Sequence, residues 1–364
     1  MTEQEISSDN VVKKTVYFLG AGASRADFPD IPLMDNLLHE IVRTRPVSAL
    51  LMDFLEGVFG PGILDAPPDP ERIPRIDDLF TLIDASLSGR GPSPAGISRE
   101  KLIEVRRHLT ASIGLVVARA VGAGLGRTAI RFAKALPEAS TLISTNYDIV
   151  MDSALLERRP RNVNYGVAVR EAVQRLDGQR RGRFEEMHHF RALPDSEAIV
   201  RTGGIPLLKL NGSLNWLYCP RCDELDITLS QSTGAVLILD EPELGRCSQE
   251  RCTSPYETVL VGPSLEQRYE NRFLAATWVR AERSLREAAS LVIVGYSLPE
   301  ADYLVRAMFA RTFGHRSDKV TVVTITRNPF EQSLLESRYR RLLAHCRFDT
   351  GGFADYVERL VKAA

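Results

Sequence analysis

The chain has 364 residues, and its 46 Lys and Arg against 47 Asp and Glu give a formal net charge of −1. This near-neutral balance carries no electrostatic footprint for nucleic acid or an anionic membrane, so neither partner is predicted. Apolar residues make up 44% of the chain and charged residues 26%, which excludes wholesale disorder.

Residues 1–14 are polar and are predicted to be flexible. They contain neither the basic region nor the apolar region of a signal peptide, and nowhere does an apolar run approach the ~20 residues of a membrane span. We therefore expect a cytoplasmic protein with no membrane partner.

The first predicted strand covers residues 15–19 and runs into a glycine turn. Gly20 and Gly22 would let main-chain N–H groups approach a pyrophosphate, and Ser24 could add a hydroxyl group. The dinucleotide fingerprint is incomplete because Arg25 stands at the third glycine position. A structural turn between strand and helix accounts for the motif equally well.

A helical insertion is predicted over residues 46–135. Its apolar residues recur at steps of three and four from Leu102 to Ala120, and strand patterns are few. The insertion has no assigned chemistry. Core packing and an assembly surface both remain open as its role.

The α/β pattern resumes after the insertion. Strands are predicted at 140–144, 207–210, 291–294 and 320–325, and helices at 148–157, 301–313 and 330–343. Strands that alternate with helices predict an α/β fold with a doubly wound parallel sheet. We assign this domain to residues 15–45, 136–218 and 253–364, and leave the arginine-rich stretch 158–198 as an exposed excursion of unknown structure.

Polar residues follow several predicted strands, at Thr145-Asn146-Tyr147-Asp148, Asn211, Gly295, Ser297 and Asn328. Ligands bind at the carboxyl ends of strands in open parallel sheets, so these residues form a candidate site. Asn146 could orient a ribose hydroxyl or a water molecule. Asp148 could bond a ribose or cap the next helix.

Four cysteines form two close pairs, Cys219 with Cys222 and Cys247 with Cys252. This spacing predicts a closed structural zinc site in a module over residues 219–252. The fifth cysteine, Cys346, stands apart and is expected to be buried.

Taken in order along the chain, these motifs resemble those of the sirtuin superfamily, in its bacterial sirtuin-like branch. The matching segments are Gly20-Ala21-Gly22-Ala23-Ser24, Thr145-Asn146-Tyr147-Asp148, Leu210-Asn211-Gly212-Ser213, the paired cysteines, Gly295-Tyr296-Ser297-Leu298 and Asn328. The resemblance implies a Rossmann-like domain and a small zinc-ribbon module that enclose NAD.

The resemblance also implies roles for individual residues. The NAD-binding set would be Gly20, Ala21, Gly22, Ala23 and Ser24 at the pyrophosphate, Gly295 and Ser297 on the adenosine side, Asn328 near the adenosine ribose, and Thr145. Asn146 and Asp148 would contact the ribose next to nicotinamide, and Asn146 would help to place the attacking water.

Two departures from the family pattern bear on the reaction. Asn211 occupies the position of the histidine that serves deacylases as general base and that recurs in the bacterial NAD hydrolases. Residues 25–32 match only loosely the Gly-Ile-Pro-Asp-Phe-Arg stretch that follows the glycine loop in deacylases.

Cleavage of the nicotinamide-ribose bond needs less from the protein than deacylation does. Neutral nicotinamide leaves without a general acid, whereas deacylation needs a base that Asn211 cannot provide. We therefore expect an NAD hydrolase that releases nicotinamide and ADP-ribose. The resemblance to the bacterial branch implies a role in antiphage defence by NAD depletion. The alternatives are an NAD or ADP-ribose sensor subunit that has lost catalysis and an NAD-dependent protein deacylase. The resemblance further implies a homo-oligomer or a partner such as an ATPase of the HerA type.

Overall fold

The computed structural model describes residues 14–44, 48–63, 73–122, 124–158, 163–166, 169–175, 186–192, 204–228, 246–247, 249, 252–264 and 271–363. Within these residues no helix combines the length and the apolar character needed to cross a bilayer.

Helices and strands alternate along much of the described chain. The helices are α1 (Ala21–Arg25), α2 (Leu37–Thr44), α3 (Ala49–Phe59), α4 (Ile76–Leu87), α5 (Arg99–Val121), α6 (Arg127–Ala135), α7 (Val150–Arg158), α8 (Arg272–Glu287), α9 (Tyr303–Phe313), α10 (Pro329–Arg340) and α11 (Gly352–Ala363). The strands are β1 (Thr15–Leu19), β2 (Thr141–Ser144), β3 (Val169–Arg175), β4 (Glu186–Ala192), β5 (Leu207–Lys209), β6 (Gly212–Cys219), β7 (Glu224–Thr228), β8 (Glu257–Leu260), β9 (Ser290–Val294), β10 (Val320–Val323) and β11 (Arg347–Asp349).

Six strands form a parallel sheet in the order β11-β10-β9-β1-β2-β5. Numbered 1 to 6 along the chain, these strands lie in the spatial order 6-5-4-1-2-3, which is that of a doubly wound nucleotide-binding fold. The predicted Rossmann-like fold class is therefore confirmed. The sequence did not predict β11, a three-residue edge strand that pairs with β10.

The parallel sheet is covered on both faces, because its strands bury side chains in two separate cores. In β1, Val16 and Phe18 pack in one core, and Tyr17 and Leu19 pack in the other. Burial on both sides explains why these strands appear as continuous apolar runs in the sequence.

The helices α2 to α5 have an apolar core of their own, to which the antiparallel sheet contributes Leu214 and Leu260. Tyr147, from the loop after β2, packs against the same core and donates its hydroxyl hydrogen bond to the carbonyl of Val261, 2.6 Å away. The helical insertion thus packs against the loops at the carboxyl ends of the strands.

A second, antiparallel sheet has the order β3-β4-β7-β6-β8. It extends well beyond the 219–252 segment that we assigned to a small module. Two of its strands, β3 and β4, lie in the arginine-rich stretch 158–198, so that stretch is part of a sheet and is not only an exposed excursion.

Candidate functional site

The order of the parallel sheet reverses between β1 and β9. From β1 the chain continues to β2 and β5 on one side and then returns to β9, which pairs with β1 on the other side. In folds of this kind, ligands occupy the crevice outside the carboxyl ends of the strands at such a switch point. The two loops that flank this crevice are the glycine turn after β1 and the turn at Gly295 after β9.

These two loops touch each other through glycines. The N–H of Gly22 donates to the carbonyl of Gly295, 2.8 Å away. A Cβ atom added at Gly20 would lie 2.7 Å from the Gly295 carbonyl oxygen, and one added at Gly22 would lie 2.7 Å from the Gly295 Cα. Gly295 itself has a φ of +59°, which disfavours other residues. Close packing of the loops therefore requires these glycines, whether or not a phosphate binds there.

The side chain of Asn146 joins the loop after β2 to the glycine turn. Its Nδ2 atom donates to the carbonyl of Gly20 at 2.9 Å and to the hydroxyl of Ser24 at 3.0 Å. Both amide hydrogens are thus used, and the contact with a carbonyl fixes which atom is nitrogen. No hydrogen bond to Oδ1 of Asn146 is found among the described residues, so this oxygen can accept one from a ligand or a water molecule.

Asp148 is buried beside Asn146. Its Oδ1 atom accepts hydrogen bonds from the Ser24 hydroxyl and from the N–H of Val150, both at 3.0 Å. The second bond caps the start of α7, so the capping interpretation of Asp148 holds together with its place in the site. Burial raises the pKa of the Asp148 carboxyl, and the positive charge of Lys209 acts in the opposite direction.

The Ser24 hydroxyl has a different setting from the one we expected. It is buried between Asn146 and Asp148 and bonds to both, so it links the two side chains instead of facing a pyrophosphate. Ala21 and Ala23 lie with it in α1, the short helix after the glycine turn.

Sequence reasoning missed Lys209, at the end of β5. Its Nζ atom donates to the main-chain carbonyl of Asp148 at 2.5 Å and to Oδ2 of Asp152 at 3.2 Å. The side chain is 2% exposed. A buried lysine is rare without a charged partner, and the signal for it in the sequence is its place within the apolar run of the predicted strand 207–210.

Asn211 follows β5 at the same edge of the sheet. The N–H of Leu210 donates to the carbonyl of Ser144 at 2.8 Å, and this bond holds the segment next to the loop that carries Asn146. Asn211 is buried, and its side chain forms no hydrogen bond with the described residues. No hydrogen bond within the described part of the chain therefore orients the Asn211 side chain.

The remaining predicted binding residues lie at the same end of the sheet and are partly engaged. Thr145 bonds through its N–H to the Leu19 carbonyl at 3.1 Å. Ser297 is exposed, and its carbonyl accepts from Arg338. Asn328 is also exposed and caps α10 by accepting from the N–H of Glu331 at 2.9 Å.

The loop between α1 and α2, where the sequence departs from the deacylase pattern, is tied to α6. Both carboxylate oxygens of Asp27 accept hydrogen bonds from the start of that helix, from the N–H of Thr128 at 2.8 Å and from that of Ala129 at 2.9 Å. Asp27 is therefore a helix cap, with each carboxylate oxygen bonded to the main chain of α6.

The four paired cysteines converge at the edge of the antiparallel sheet. Their Sγ atoms all lie within 4.8 Å of one another, with 3.7 Å between Cys219 and Cys252 and 3.8 Å between Cys222 and Cys247. A tetrahedral ion with bonds of about 2.3 Å to sulfur separates its ligands by about 3.8 Å, so the four thiols are placed to bind a metal. Cys346 is buried apart from this cluster, as expected.

No protein-family model matches the sequence, and no curated protein matches it. Among solved structures, the chain is similar to a sirtuin studied for substrate affinity, with 14% identity over 96% of this chain and 93% of the other and a TM-score of 0.40. Two Sir2 structures are similar to the same degree, at 15% identity over 96% of this chain. One was studied for mechanism and regulation (92% of that chain, TM-score 0.41), and the other contains an inhibitor, 2′-O-acetyl-ADP-ribose and a deacetylated peptide (93%, TM-score 0.40). Likeness at this level does not establish an activity.

Proposed function

We propose that the protein is an NAD hydrolase that cleaves the bond between nicotinamide and ribose. The observation that carries this proposal is the pairing of Asn146 and Asp148 through Ser24, at the switch point of a doubly wound sheet. Asn146 offers an unused carbonyl oxygen there, and Asp148 adds a buried carboxyl group.

The nucleotide would lie over the two touching loops after β1 and β9, in the crevice outside the carboxyl ends of the strands. The glycine turn with Ala21, Ala23 and Ser24 would face the pyrophosphate, while Gly295, Ser297 and Asn328 would line the adenosine side. Thr145, Asn146 and Asp148 would be next to the ribose that carries nicotinamide. Because the Ser24 hydroxyl and the N–H groups of Gly20, Gly22 and Ala23 are engaged within the protein, the N–H of Ala21 would supply the phosphate contact from this turn.

Cleavage would proceed through an oxocarbenium-like state at the ribose C1′. The electron pair of the broken carbon–nitrogen bond stays on the ring nitrogen, so nicotinamide leaves as a neutral pyridine. Water, held by the Asn146 Oδ1 atom, forms the new bond to C1′ and then loses a proton to solvent. The Asp148 carboxylate would favour the positive charge that develops on the sugar, and the site would supply mainly orientation.

This reaction does not need a base at position 211. Water attached to C1′ is strongly acidic and deprotonates without help, whereas protein deacylation requires a base to activate a ribose hydroxyl. Asn211 supports the hydrolase over the deacylase for this reason.

A second candidate function also follows from Asn211. If hydrolysis in this fold depends on a histidine there, the chain is an NAD or ADP-ribose sensor that binds without turnover. The buried Asn211 side chain, unpaired among the described residues, is the observation that favours this candidate.

We further propose that the hydrolase acts in the cytoplasm in antiphage defence, as a homo-oligomer or with a partner such as a HerA-type ATPase. Unregulated NAD depletion is toxic, so such an enzyme requires control by assembly. Zinc is the proposed metal of the cysteine cluster, where four thiolates leave no open coordination position and its role would be structural.

The test is nicotinamide release from NAD by the purified protein. Asn146→Ala should reduce the rate by about a hundredfold or more. The matched control is Asn271→Ala, which removes an asparagine whose side chain caps α8 by accepting from Phe273 and Leu274, and should leave the rate unchanged. Nucleotide binding without turnover, alone and with its native neighbours, would support the sensor, and absence of binding would refute both candidates.

A further inference from the structure

Lys209 lies between two buried aspartates, Asp148 and Asp152. Its Nζ atom bonds to the main chain of Asp148 at 2.5 Å and to the carboxylate of Asp152 at 3.2 Å. Asp148 and Asp152 are 5% and 2% exposed, so all three ionisable groups are out of contact with bulk solvent. Buried charges of this kind are costly unless they are paired and fully hydrogen-bonded.

The hydrogen bonds continue from Asp152 into the antiparallel sheet. The Tyr165 hydroxyl donates to Oδ1 of Asp152, and the Asn215 side chain donates to the Tyr165 hydroxyl at 3.3 Å. The same Asn215 amide donates to the carbonyl of Thr228 at 2.9 Å. Asn215 lies on β6, the strand that ends in Cys219, and Thr228 lies on β7.

A continuous series of hydrogen bonds therefore runs from the proposed NAD site to the sheet that carries the cysteine cluster. Lys209 is the link at which it reaches the site, because it contacts the Asp148 main chain directly. Its charge also opposes the effect of burial on the Asp148 carboxyl.

We propose that Lys209 is a positioning residue that fixes Asp148 in the site and couples it to the antiparallel sheet through Asp152 and Tyr165. The ligand-binding part of this inference rests on the proposed function. Lys209 does not reach the nucleotide in this role. It acts through the backbone of Asp148 and the charge at its carboxyl.

The positioning role is tested without a ligand, by hydrogen exchange of the Val150 amide, which donates to the Asp148 carboxylate. The variant is the double substitution Lys209→Met with Asp152→Asn, which removes both charges of the Lys209–Asp152 pair together. Exchange should accelerate by about tenfold or more, the size expected from losing a charge-assisted hydrogen bond. Tyr165→Phe, which removes one hydroxyl, serves if the double variant does not fold, and should accelerate the same amide by a smaller factor.

The control is Leu208→Ala, next to Lys209 on β5 but in the core on the other face of the sheet. It destabilises the same strand without touching the polar series. If it accelerates Val150 exchange as much as the double variant does, or if the double variant has no effect, Lys209 only stabilises the fold and the inference is wrong.

Binding of ADP-ribose, measured by calorimetry, tests the link to the site. The double variant should bind about tenfold more weakly than the wild type, whereas Leu208→Ala should not. Unchanged affinity in the double variant would overturn the role in the site. If the wild type does not bind ADP-ribose, the proposed function fails, but the exchange measurement still decides the positioning role.

Discussion

The Nδ2 atom of Asn146 lies 3.0 Å from the Oγ atom of Ser24, so the loop after β2 is tied directly to the helix after β1. The same hydroxyl donates to Asp148 across 3.0 Å. One serine thus sets the orientation of both side chains on which the proposed cleavage depends.

Ser24→Ala should therefore lower the rate of nicotinamide release by about ten- to hundredfold, since it leaves Asn146 and Asp148 each without one partner. Steady-state kinetics with NAD check this. Thr15→Ala is the control, because it removes a hydroxyl that contacts Ser290 on the same sheet. An equal loss in both variants would contradict the special role of Ser24.

Asp148→Asn should abolish nicotinamide release while maintaining or raising stability. Burial raises the pKa of the Asp148 carboxyl, so the folded wild type holds its proton more tightly than the unfolded chain does. The wild type then loses stability as pH rises from the ordinary carboxyl pKa, about 3.9, through the raised value. Asparagine does not titrate, and its Oδ1 atom can keep both hydrogen bonds.

The free energy of unfolding of Asp148→Asn should consequently increase relative to that of the wild type as pH rises across this window. Urea unfolding at a series of pH values rising from about 4 measures it. A difference that shrinks with rising pH would mean that the charge of Lys209 outweighs burial.

Asn211→His should keep or increase NAD cleavage. The Asn211 side chain has no hydrogen bond to the described residues, so its replacement costs the fold no bond and adds a titratable ring at that position. Nicotinamide release and the melting temperature are measured together. Complete loss of activity in a folded variant would show that Asn211 has a specific role of its own.

The purified protein should contain about one zinc ion per chain, as expected for a closed four-thiolate site. Cys222→Ser should lose it, whereas Cys346→Ser should retain it because Cys346 lies outside the cluster. Elemental analysis of both variants provides the measurement. A well-folded wild type free of metal would rule out the zinc assignment.

Gly295→Ala should destabilise the protein by about 3 kcal/mol or more, because the new Cβ would lie 2.4 Å from the Gly22 main chain at a positive φ. Gly57→Ala is the matched control. Gly57 is in the interior of α3 with no atom within 4 Å of the added Cβ, so alanine should stabilise by about 0.5–1 kcal/mol. Urea unfolding distinguishes the two, and similar effects would contradict the close packing of the glycine loops.

The central strands were predictable because burial on both faces produces apolar runs such as residues 15–19 and 290–294. The edge strand at 347–349 was not, since three residues with charged ends carry no such pattern. The strands at 169–175 and 186–192 were not predicted, because the arginines in and between them are typical of an exposed segment.

For the candidate site, position after a strand was a sound guide, because Asn146, Asp148 and the two glycine turns meet at one edge of the sheet. The hydrogen-bond partners of these residues could not be predicted from the sequence. Ser24 is a link between side chains and Lys209 is a buried cation, and both facts depend on contacts between segments far apart in the chain.

The strand that begins the sheet pairs with one made much later, as shown by the contact of Thr15 with Ser290, 275 positions away. During synthesis on the ribosome, the loop after β9, which flanks one side of the crevice, is missing until that late strand emerges. The proposed NAD site is therefore incomplete in a nascent chain until β9 and the turn at Gly295 have been made.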